Sequence, residues 1–215
     1  MLKNIEKENT VTNKNCVIRL SRYKNALNRL KSFGFVKVFS DNLADAVGVM
    51  PSQVRKDFSI FGISGNKRGG YLIEELIEKL NQILGKDTVK KVIIVGQGKI
   101  GTALMEYEGF ENEGIKIAAA FDSDSRKVNL KAKIPVYPIE ELEHFIKKNG
   151  ITIGVVAVPE IAAQQVADKM ISSGIKGILN FAPIRLNGKE DTVINNVNLV
   201  LELENVIYYV NTFGK

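Results

Sequence analysis

The sequence predicts an α/β protein of two unlike parts, a small basic helical part followed by a larger part built on a parallel sheet. Apolar residues recur at helical spacing up to about residue 85, and beyond it short apolar runs alternate with helical segments. The charge follows the same division, since residues 1–85 hold 14 basic and 8 acidic side chains whereas residues 86–215 hold 16 of each. This local excess favours a polyanion such as nucleic acid as partner, although a solvated basic face fits the charge alone equally well.

The composition excludes several classes of protein. No apolar run approaches the roughly 20 residues of a membrane-spanning helix, and residues 1–15 lack the apolar segment of a signal peptide. We expect this polar N-terminal segment to be a flexible tail. A single cysteine, Cys16, cannot form an intramolecular disulfide, which fits a reducing, cytoplasmic setting. No grouping of metal-ligand side chains stands out, so we expect no metal site.

Helical periodicity predicts four helices within residues 16–85. They cover about residues 18–33, 41–47 after an N-cap at Ser40 or Asp41, 51–61 beginning with Pro51, and 72–84. A three-residue turn containing Gly48 separates the second helix from the third, which is the spacing of a DNA-binding helix-turn-helix. Four glycines within residues 62–70 indicate a loop or a β-wing, so we predict a winged helix-turn-helix domain. A helical bundle used only for dimerisation is the alternative.

The third predicted helix has two chemically distinct faces. Val54, Phe58 and Phe61 recur at helical spacing and face the core. The polar residues left to face outward are Ser52, Gln53, Arg55, Lys56 and Ser59. Glutamine can pair with adenine, arginine with guanine, and lysine or serine with phosphate, so we expect this helix to read double-stranded DNA. In the wing, Lys67 and Arg68 are placed to enter a minor groove.

After residue 85 the pattern predicts a Rossmann domain, a doubly wound parallel sheet, over residues 86–197. The continuous apolar run at 92–95 is typical of a strand that is buried on both faces. Further strands are predicted at 116–121, 152–157, 177–180 and 192–197, and helices near 99–108, 139–148 and 161–173. The domain boundary is therefore expected within residues 85–88.

A glycine-rich motif follows the first of these strands and predicts a dinucleotide site. Its residues are Gly96, Gln97, Gly98, Lys99, Ile100 and Gly101. Gly96 permits a tight turn, Gly98 lets the backbone approach a pyrophosphate, and Gly101 allows close helix–strand packing. Asp122 ends the next strand and would accept a hydrogen bond from the ribose 2′-hydroxyl, which favours NADH/NAD+, although Arg126 nearby leaves NADP(H) open. A structural glycine turn without a ligand is the alternative.

Two later segments lie at strand ends, where Rossmann ligands bind. Their residues are Val158, Pro159, Asn180, Phe181, Ala182 and Pro183, which either wall a nicotinamide pocket or form ordinary β-α turns. Groups for hydride chemistry are missing, since the one histidine, His144, lies on a predicted surface helix and no Ser-Tyr-Lys cluster is found. A binding site without catalytic residues favours a sensor over an enzyme, with a small NAD-dependent reductase as the alternative.

The last segment, residues 198–212, predicts a dimerisation helix. Leu199, Leu203, Val206 and Val210 recur at helical spacing, and other apolar residues extend this surface almost all round. A helix this apolar should be buried on several sides, and a second subunit can supply the cover. A dimer also suits a two-fold DNA site.

Taken together, these motifs resemble the Rex family of redox-sensing bacterial repressors, over nearly the whole chain from about Arg19. The most specific segments are residues 53–59, 96–107, 119–122, 158–159 with 163–164, and 174–183. The resemblance implies a homodimer with swapped C-terminal helices, formed here by residues 198–215, on a pseudo-palindromic operator. It also implies repression of fermentative and respiratory genes when NADH is low and release from DNA when NADH binds, with NAD+ as the weaker inducer of release.

The resemblance further implies a switch that involves Tyr107 and two charged positions, and here the sequence departs from the family. Asn25 stands where many members have arginine, and Asn198 where many have aspartate. Either an uncharged Asn25–Asn198 contact replaces the ion pair, or the chain is a Rex-like DNA-binding regulator with a weakened or lost NADH response. Met50 stands where a capping Thr, Ser or Asn is usual, which should cost about 1 kcal/mol of helix stability.

Overall fold

The computed structural model describes residues 14–65 and 69–213, which form two units that divide between Thr88 and Val89. Each unit has a hydrophobic core of its own. Among the described residues, no helix is both long and apolar enough to cross a lipid bilayer. Within the same ranges, no three His, Cys, Asp or Glu side chains come together as a metal site would require.

The N-terminal unit is a helical domain with a small antiparallel sheet. Its elements are α1 (Lys14–Ser32), β1 (Lys37–Val38), α2 (Ser40–Val47), α3 (Pro51–Ile60), β2 (Tyr71–Leu72) and α4 (Ile73–Ile83). The two short strands pair with each other, as the base of a β-wing would, but the predicted wing residues Lys67 and Arg68 lie outside the described residues. Leu20, Tyr23 and Leu27 are fully buried at the predicted helical spacing, and Gly34 ends α1 with a φ of 83°.

The starts of α1 and α2 differ from the sequence prediction, whereas the start of α3 agrees with it. Neither Ser40 nor Asp41 caps α2, because the N-cap residue is Phe39, whose N–H donates to Asn42 Oδ1 at 3.4 Å. The first helix begins at Lys14, so the end of the predicted tail is helical, whereas residues 1–13 lie outside the described part. Met50 is the N-cap of α3 and makes no side-chain cap hydrogen bond, as predicted.

The C-terminal unit is built on a six-stranded parallel sheet. Its strands are β3 (Lys90–Val95), β4 (Ile115–Asp122), β5 (Val136–Pro138), β6 (Ile153–Val156), β7 (Gly177–Asn180) and β8 (Val193–Asn196), and its helices are α5 (Lys99–Glu106), α6 (Gly109–Asn112), α7 (Leu142–Asn149), α8 (Glu160–Ser172) and α9 (Leu199–Phe213). The spatial order β5-β4-β3-β6-β7-β8 is that of a doubly wound Rossmann sheet. The strand order reverses between β3 and β6, which are neighbours.

Apolar layers cover both faces of this sheet, which explains the continuous apolar strands. Ile93 and Phe121 belong to a core that includes Leu142 of α7 and Ala163 of α8. Ile94 belongs to the core on the other face, against which residues of α5 pack. Two elements escaped prediction: β5, a three-residue edge strand that ends in proline, and the single turn of α6. Both are too short to show a periodicity.

No residue of the C-terminal helix α9 belongs to a hydrophobic core of the C-terminal unit. All 15 of its residues are exposed, although most are apolar, including the predicted stripe of Leu199, Leu203, Val206 and Val210. Nothing within the described chain supplies the burial that a helix this apolar requires.

Candidate nucleotide crevice and DNA-reading helix

A crevice opens at the carboxyl ends of β3, β4 and β6, where the strand order reverses. It has a volume of about 530 Å³, within the usual range of small-molecule sites. The predicted site residues that line it are Gly96, Gly98, Asp122, Val158 and Pro159. In open parallel sheets this switch point is where ligands bind.

The three glycines of the motif have separate structural roles. Gly96 has a φ of 100°, and a Cβ there would lie 2.5 Å from the carbonyl oxygen of Ala157. A Cβ on Gly101 would overlap the carbonyl oxygen of Gly96, so α5 can start this close to the strand only with glycine. A Cβ on Gly98 would meet nothing within 4 Å. The backbone at Gly98 is therefore open to a ligand at the N-terminus of α5, whose free N–H groups favour phosphate.

The carboxylate of Asp122 is 8% exposed and holds the glycine-rich loop in place. Its Oδ2 accepts from the N–H of Gln97 at 2.7 Å and from Lys127 Nζ at 3.0 Å, and its Oδ1 accepts from the N–H of Asp124 at 2.8 Å. Burial acts to raise the pKa of Asp122, but these hydrogen bonds outweigh it and lower the pKa. A charged carboxylate accepts about four hydrogen bonds, so roughly one position remains for a ligand hydroxyl.

The NADP(H) alternative needs Arg126 to face the ligand, but the side chain of Arg126 binds Asp124 instead. Its guanidinium donates to both carboxylate oxygens of Asp124, at 2.9 and 2.8 Å, on the surface. Hydrogen bonds from Arg126 lower the pKa of Asp124 to about 2. Lys127, and not Arg126, is the basic residue of this turn that lines the crevice.

Four other predicted cofactor residues do not line the crevice. Lys99 and Ile100 are exposed at the start of α5, and the Oε1 of Gln97 is buried without a hydrogen-bond partner among the described atoms. Tyr107 follows α5 and lies beside a second cavity, of about 350 Å³, where its ring packs edge-to-face on Phe110 with centroids 5.1 Å apart. Tyr107 therefore does not line the crevice at Gly96.

The segment after β7 forms a turn that Asn180 holds together. The buried Nδ2 of Asn180 donates to the carbonyl of Ile184 at 2.7 Å and to Asn196 Oδ1 at 2.9 Å. Its Oδ1 accepts from the N–H of Ala182 at 2.9 Å. Asn180, Phe181, Ala182 and Pro183 do not line the crevice. This geometry favours the turn interpretation for Asn180.

The third helix, α3, has the two faces that its spacing predicts, with one difference. Val54 and Phe58 are fully buried. Ser52, Arg55, Lys56 and Ser59 are exposed, and Arg55 Nη1 lies 3.9 Å from Asp41 Oδ1. Gln53 is only half-exposed, because its Nε2 donates to the buried Asp57 Oδ1 at 2.7 Å.

Asp57 is a feature that the sequence interpretation missed. Its buried carboxylate accepts from Arg19 through Nε at 2.6 Å and Nη2 at 2.7 Å, and from the Tyr23 hydroxyl at 2.9 Å. Burial acts to raise the pKa of Asp57, but the hydrogen bonds, led by that of Arg19, lower it. Burial raises the pKa of the nearby Cys16 thiol to about 11, so this thiol is unreactive at neutral pH. The sequence offered one indication of this buried carboxylate, because Asp57 is an acidic residue that lies between Val54 and Phe58 on the core face of the predicted helix.

The two departures from the family's switch positions lie in different units. Asn25 is exposed on α1. Asn198 caps α9, since its Oδ1 accepts from the N–H groups of Val200 at 3.0 Å and Leu201 at 3.3 Å.

Comparison with known proteins finds matches to both units. A family model described as "CoA binding domain" matches residues 87–184, and one described as "Putative DNA-binding protein N-terminus" matches residues 14–59. The redox-sensing transcriptional repressor Rex of Desulforamulus reducens is 41% identical over 189 residues, which is 87% of this chain and 90% of that protein.

Two solved structures of a Rex-family repressor, RSP, are similar to almost the whole chain. RSP in complex with β-NAD+ and operator DNA has a TM-score of 0.87 at 36% identity and covers 93% of this chain and 92% of its own. RSP in complex with β-NADH has a TM-score of 0.83 at 36% identity and covers 94% of this chain and 95% of its own.

Proposed function

The chain belongs to the Rex family of redox-sensing transcriptional repressors, and from this we propose that it represses transcription by binding operator DNA and releases that DNA when NADH binds. The observation that carries the proposal is the presence, in one chain, of an exposed basic helix α3 and an open Rossmann crevice. RSP, which is similar over almost the full length, is known with operator DNA and NAD+ and with NADH.

Reading of the DNA falls to α3. Ser52, Arg55, Lys56 and Ser59 are the exposed polar residues that it presents, and Arg55 can pair with a guanine edge while Lys56 binds phosphate. Lys67 and Arg68, outside the described residues, are proposed to reach a neighbouring groove.

The crevice binds the dinucleotide. The pyrophosphate approaches Gly98 at the N-terminus of α5, and the remaining acceptor position of Asp122 takes an adenosine ribose hydroxyl. A charged Asp122 repels a 2′-phosphate, so NADH and NAD+ are preferred over NADP(H). Val158 and Pro159 line the same crevice, whereas contacts by Phe181 or Pro183 with the nicotinamide stay a prediction.

The functional unit is a homodimer that forms through α9. The exposed apolar surface of this helix is the kind that a second copy covers, and two copies place two α3 helices on a pseudo-palindromic operator. A repressor meets its operator in the compartment that holds the chromosome, in agreement with the cytoplasmic setting expected for a chain with one cysteine.

A second candidate is a Rex-like regulator that binds DNA but responds weakly to NADH. The observation that favours it is Asn198, an uncharged side chain whose Oδ1 is already used to cap α9. Catalysis is not part of either proposal, because the relatives are repressors. The oxidation of NADH in the presence of a carbonyl or imine substrate would instead revive the reductase alternative.

The deciding experiment is a DNA-binding titration with the full chain. The operator is first obtained by selection from random double-stranded DNA, and its release is then followed while NADH and NAD+ are titrated separately. We expect NADH to lower operator affinity at least tenfold at concentrations where NAD+ has little effect, a coupling of about 1.4 kcal/mol. Operator binding that NADH leaves unchanged supports the second candidate, and failure to select any operator contradicts both.

A further inference from the structure

The buried carboxylate of Asp57 determines which way the amide of Gln53 faces. Gln53 lies in the first turn of α3, where a helix-turn-helix contacts base edges. Its amide reaches Asp57 Oδ1 at 2.7 Å. A charged carboxylate only accepts hydrogen bonds, so the amide must turn its amino group toward Asp57. The flipped orientation would place two acceptor oxygens in contact with no proton between them.

Asp57 cannot move away to free Gln53, because it is held from the other side. Arg19 binds both of its oxygens and compensates its charge, and the Tyr23 hydroxyl binds Oδ2. Tyr23 is itself fully buried and packs edge-to-face on Phe58, with ring centroids 5.5 Å apart. Arg19 of α1 therefore fixes the carboxylate that orients a side chain of α3, and the Tyr23 hydroxyl adds one further bond to the oxygen that Gln53 does not use.

We propose that Asp57 is a positioning residue for the reading of DNA sequence. By holding the amino group of the Gln53 amide, it presents the Gln53 carbonyl oxygen outward. That oxygen can then accept a hydrogen bond from an amino group on a base edge. In the major groove the amino groups are N6 of adenine and N4 of cytosine, whereas the guanine edge offers only acceptors. This inference rests on the proposed function, because it concerns the same DNA-reading helix. It assigns to Asp57 a role in specificity beyond the stability that its ion pair contributes.

The test compares base preferences, position by position, among four proteins. Operator variants with each base pair substituted in turn are titrated with the wild type, Gln53→Leu, Asp57→Asn and Tyr23→Phe. We expect Gln53→Leu to lose about five- to tenfold of discrimination at one base pair of each half-site. Asp57→Asn should lose discrimination at that same base pair, because an amide at position 57 can face Gln53 with either its amino or its carbonyl group.

Tyr23→Phe is the matched control. It removes a hydrogen bond to Oδ2 of Asp57, while Gln53 binds Oδ1. Base preference should therefore persist in this variant even if its stability falls. The inference is overturned if Asp57→Asn loses the same affinity at every base pair, or if Gln53→Leu keeps the base preference of the wild type.

A second measurement does not depend on DNA or on the folding of Asp57→Asn. In the side-chain amide NMR spectrum of the free wild-type protein, the Gln53 protons should exchange with water at least tenfold more slowly than those of the exposed Gln165. Equal exchange rates would show that Asp57 does not hold the amide. If the wild type selects no operator, the proposed function fails, but the exchange rates still test the orientation of the Gln53 amide.

Discussion

The carboxylate of Asp122 accepts a hydrogen bond of 2.7 Å from the backbone N–H of Gln97, so the end of β4 holds the glycine-rich loop that follows β3. The residue expected to recognise the ribose therefore also shapes the loop expected to bind the pyrophosphate. The two parts of the crevice are coupled through one side chain, and a change at Asp122 acts on both.

Asp122→Asn should weaken NADH binding by about tenfold or more. An amide offers one acceptor oxygen to a site that contains three donors, so at least one of them loses its partner and the loop loosens. NADH affinity can be followed by the fluorescence of the cofactor. Glu143→Gln, which removes an exposed ion pair with Lys147 on α7, is the control and should bind NADH as the wild type does. Equal NADH affinity in wild type and Asp122→Asn contradicts this role.

Gly98→Val should abolish NADH binding and leave operator binding intact. The backbone of Gly98 has a φ of −82°, which L-residues adopt without strain, and its Cβ direction is open. The valine side chain would therefore occupy the ligand's path rather than disturb the fold. Gly98→Ala should show a smaller loss of NADH affinity. Normal NADH binding by Gly98→Val would show that the pyrophosphate does not pass this residue.

Two basic residues of α3 should affect DNA binding in different ways. Arg55→Ala should weaken binding to the operator by about 1–3 kcal/mol more than binding to random DNA, because a base contact is lost. Lys56→Ala should weaken binding to all sequences and reduce the slope of log affinity against log salt by about 1. Fluorescence anisotropy at several salt concentrations measures both effects. Lys79→Ala, an exposed change on α4, is the control; unchanged binding by both α3 variants excludes this helix from the groove.

The Asp57 carboxylate should make the stability of the protein depend on acid pH. Its folded pKa is lowered, so its stabilisation is complete above the unfolded pKa of about 4 and is lost as pH falls through the folded pKa. Asp57→Asn should cost about 3 kcal/mol at pH 7, and this difference should shrink toward pH 3. Urea unfolding of the full chain at several pH values measures it. A difference that stays constant with pH would mean that the lost charge is not the cause.

Restoring both charges at the switch positions should strengthen the response to NADH. Asn25→Arg together with Asn198→Asp should increase the NADH-induced loss of operator affinity by more than the two single changes combined, with a charge contribution of about 1–3 kcal/mol. Aspartate caps a helix as well as asparagine does, so α9 should keep its start. Titration of operator complexes with NADH measures the effect. If NADH releases the wild type fully from the operator and the double variant responds no more strongly, residues 25 and 198 do not set the response to NADH.

Local patterns in the sequence were sufficient for the two-part architecture and for the glycine-rich loop. Continuous apolar runs are confirmed as parallel strands because both faces of the sheet are covered, and the spacing of Val54 and Phe58 is confirmed as the buried face of α3. The tight turn expected at Gly96 and the close helix–strand packing expected at Gly101 are both found, since a Cβ at either position would meet backbone atoms. The strand β5 was not predicted because three residues are too few to show a periodicity. The N-cap of α2 was not predicted because Phe39 is not a usual capping residue.

Tertiary structure alone decided the partners of the buried polar side chains. Arg19 and Asp57 lie 38 residues apart, and Asn180 and Asn196 lie 16 apart, so no local pattern predicts that they meet. Asp57 lies within the segment predicted to read DNA, and Asn180 lies within a segment for which a ligand pocket and an ordinary turn were both open. The physical reason is that a buried polar group takes whichever partner the fold brings within hydrogen-bond distance, whereas apolar burial depends mainly on the periodicity of its own segment.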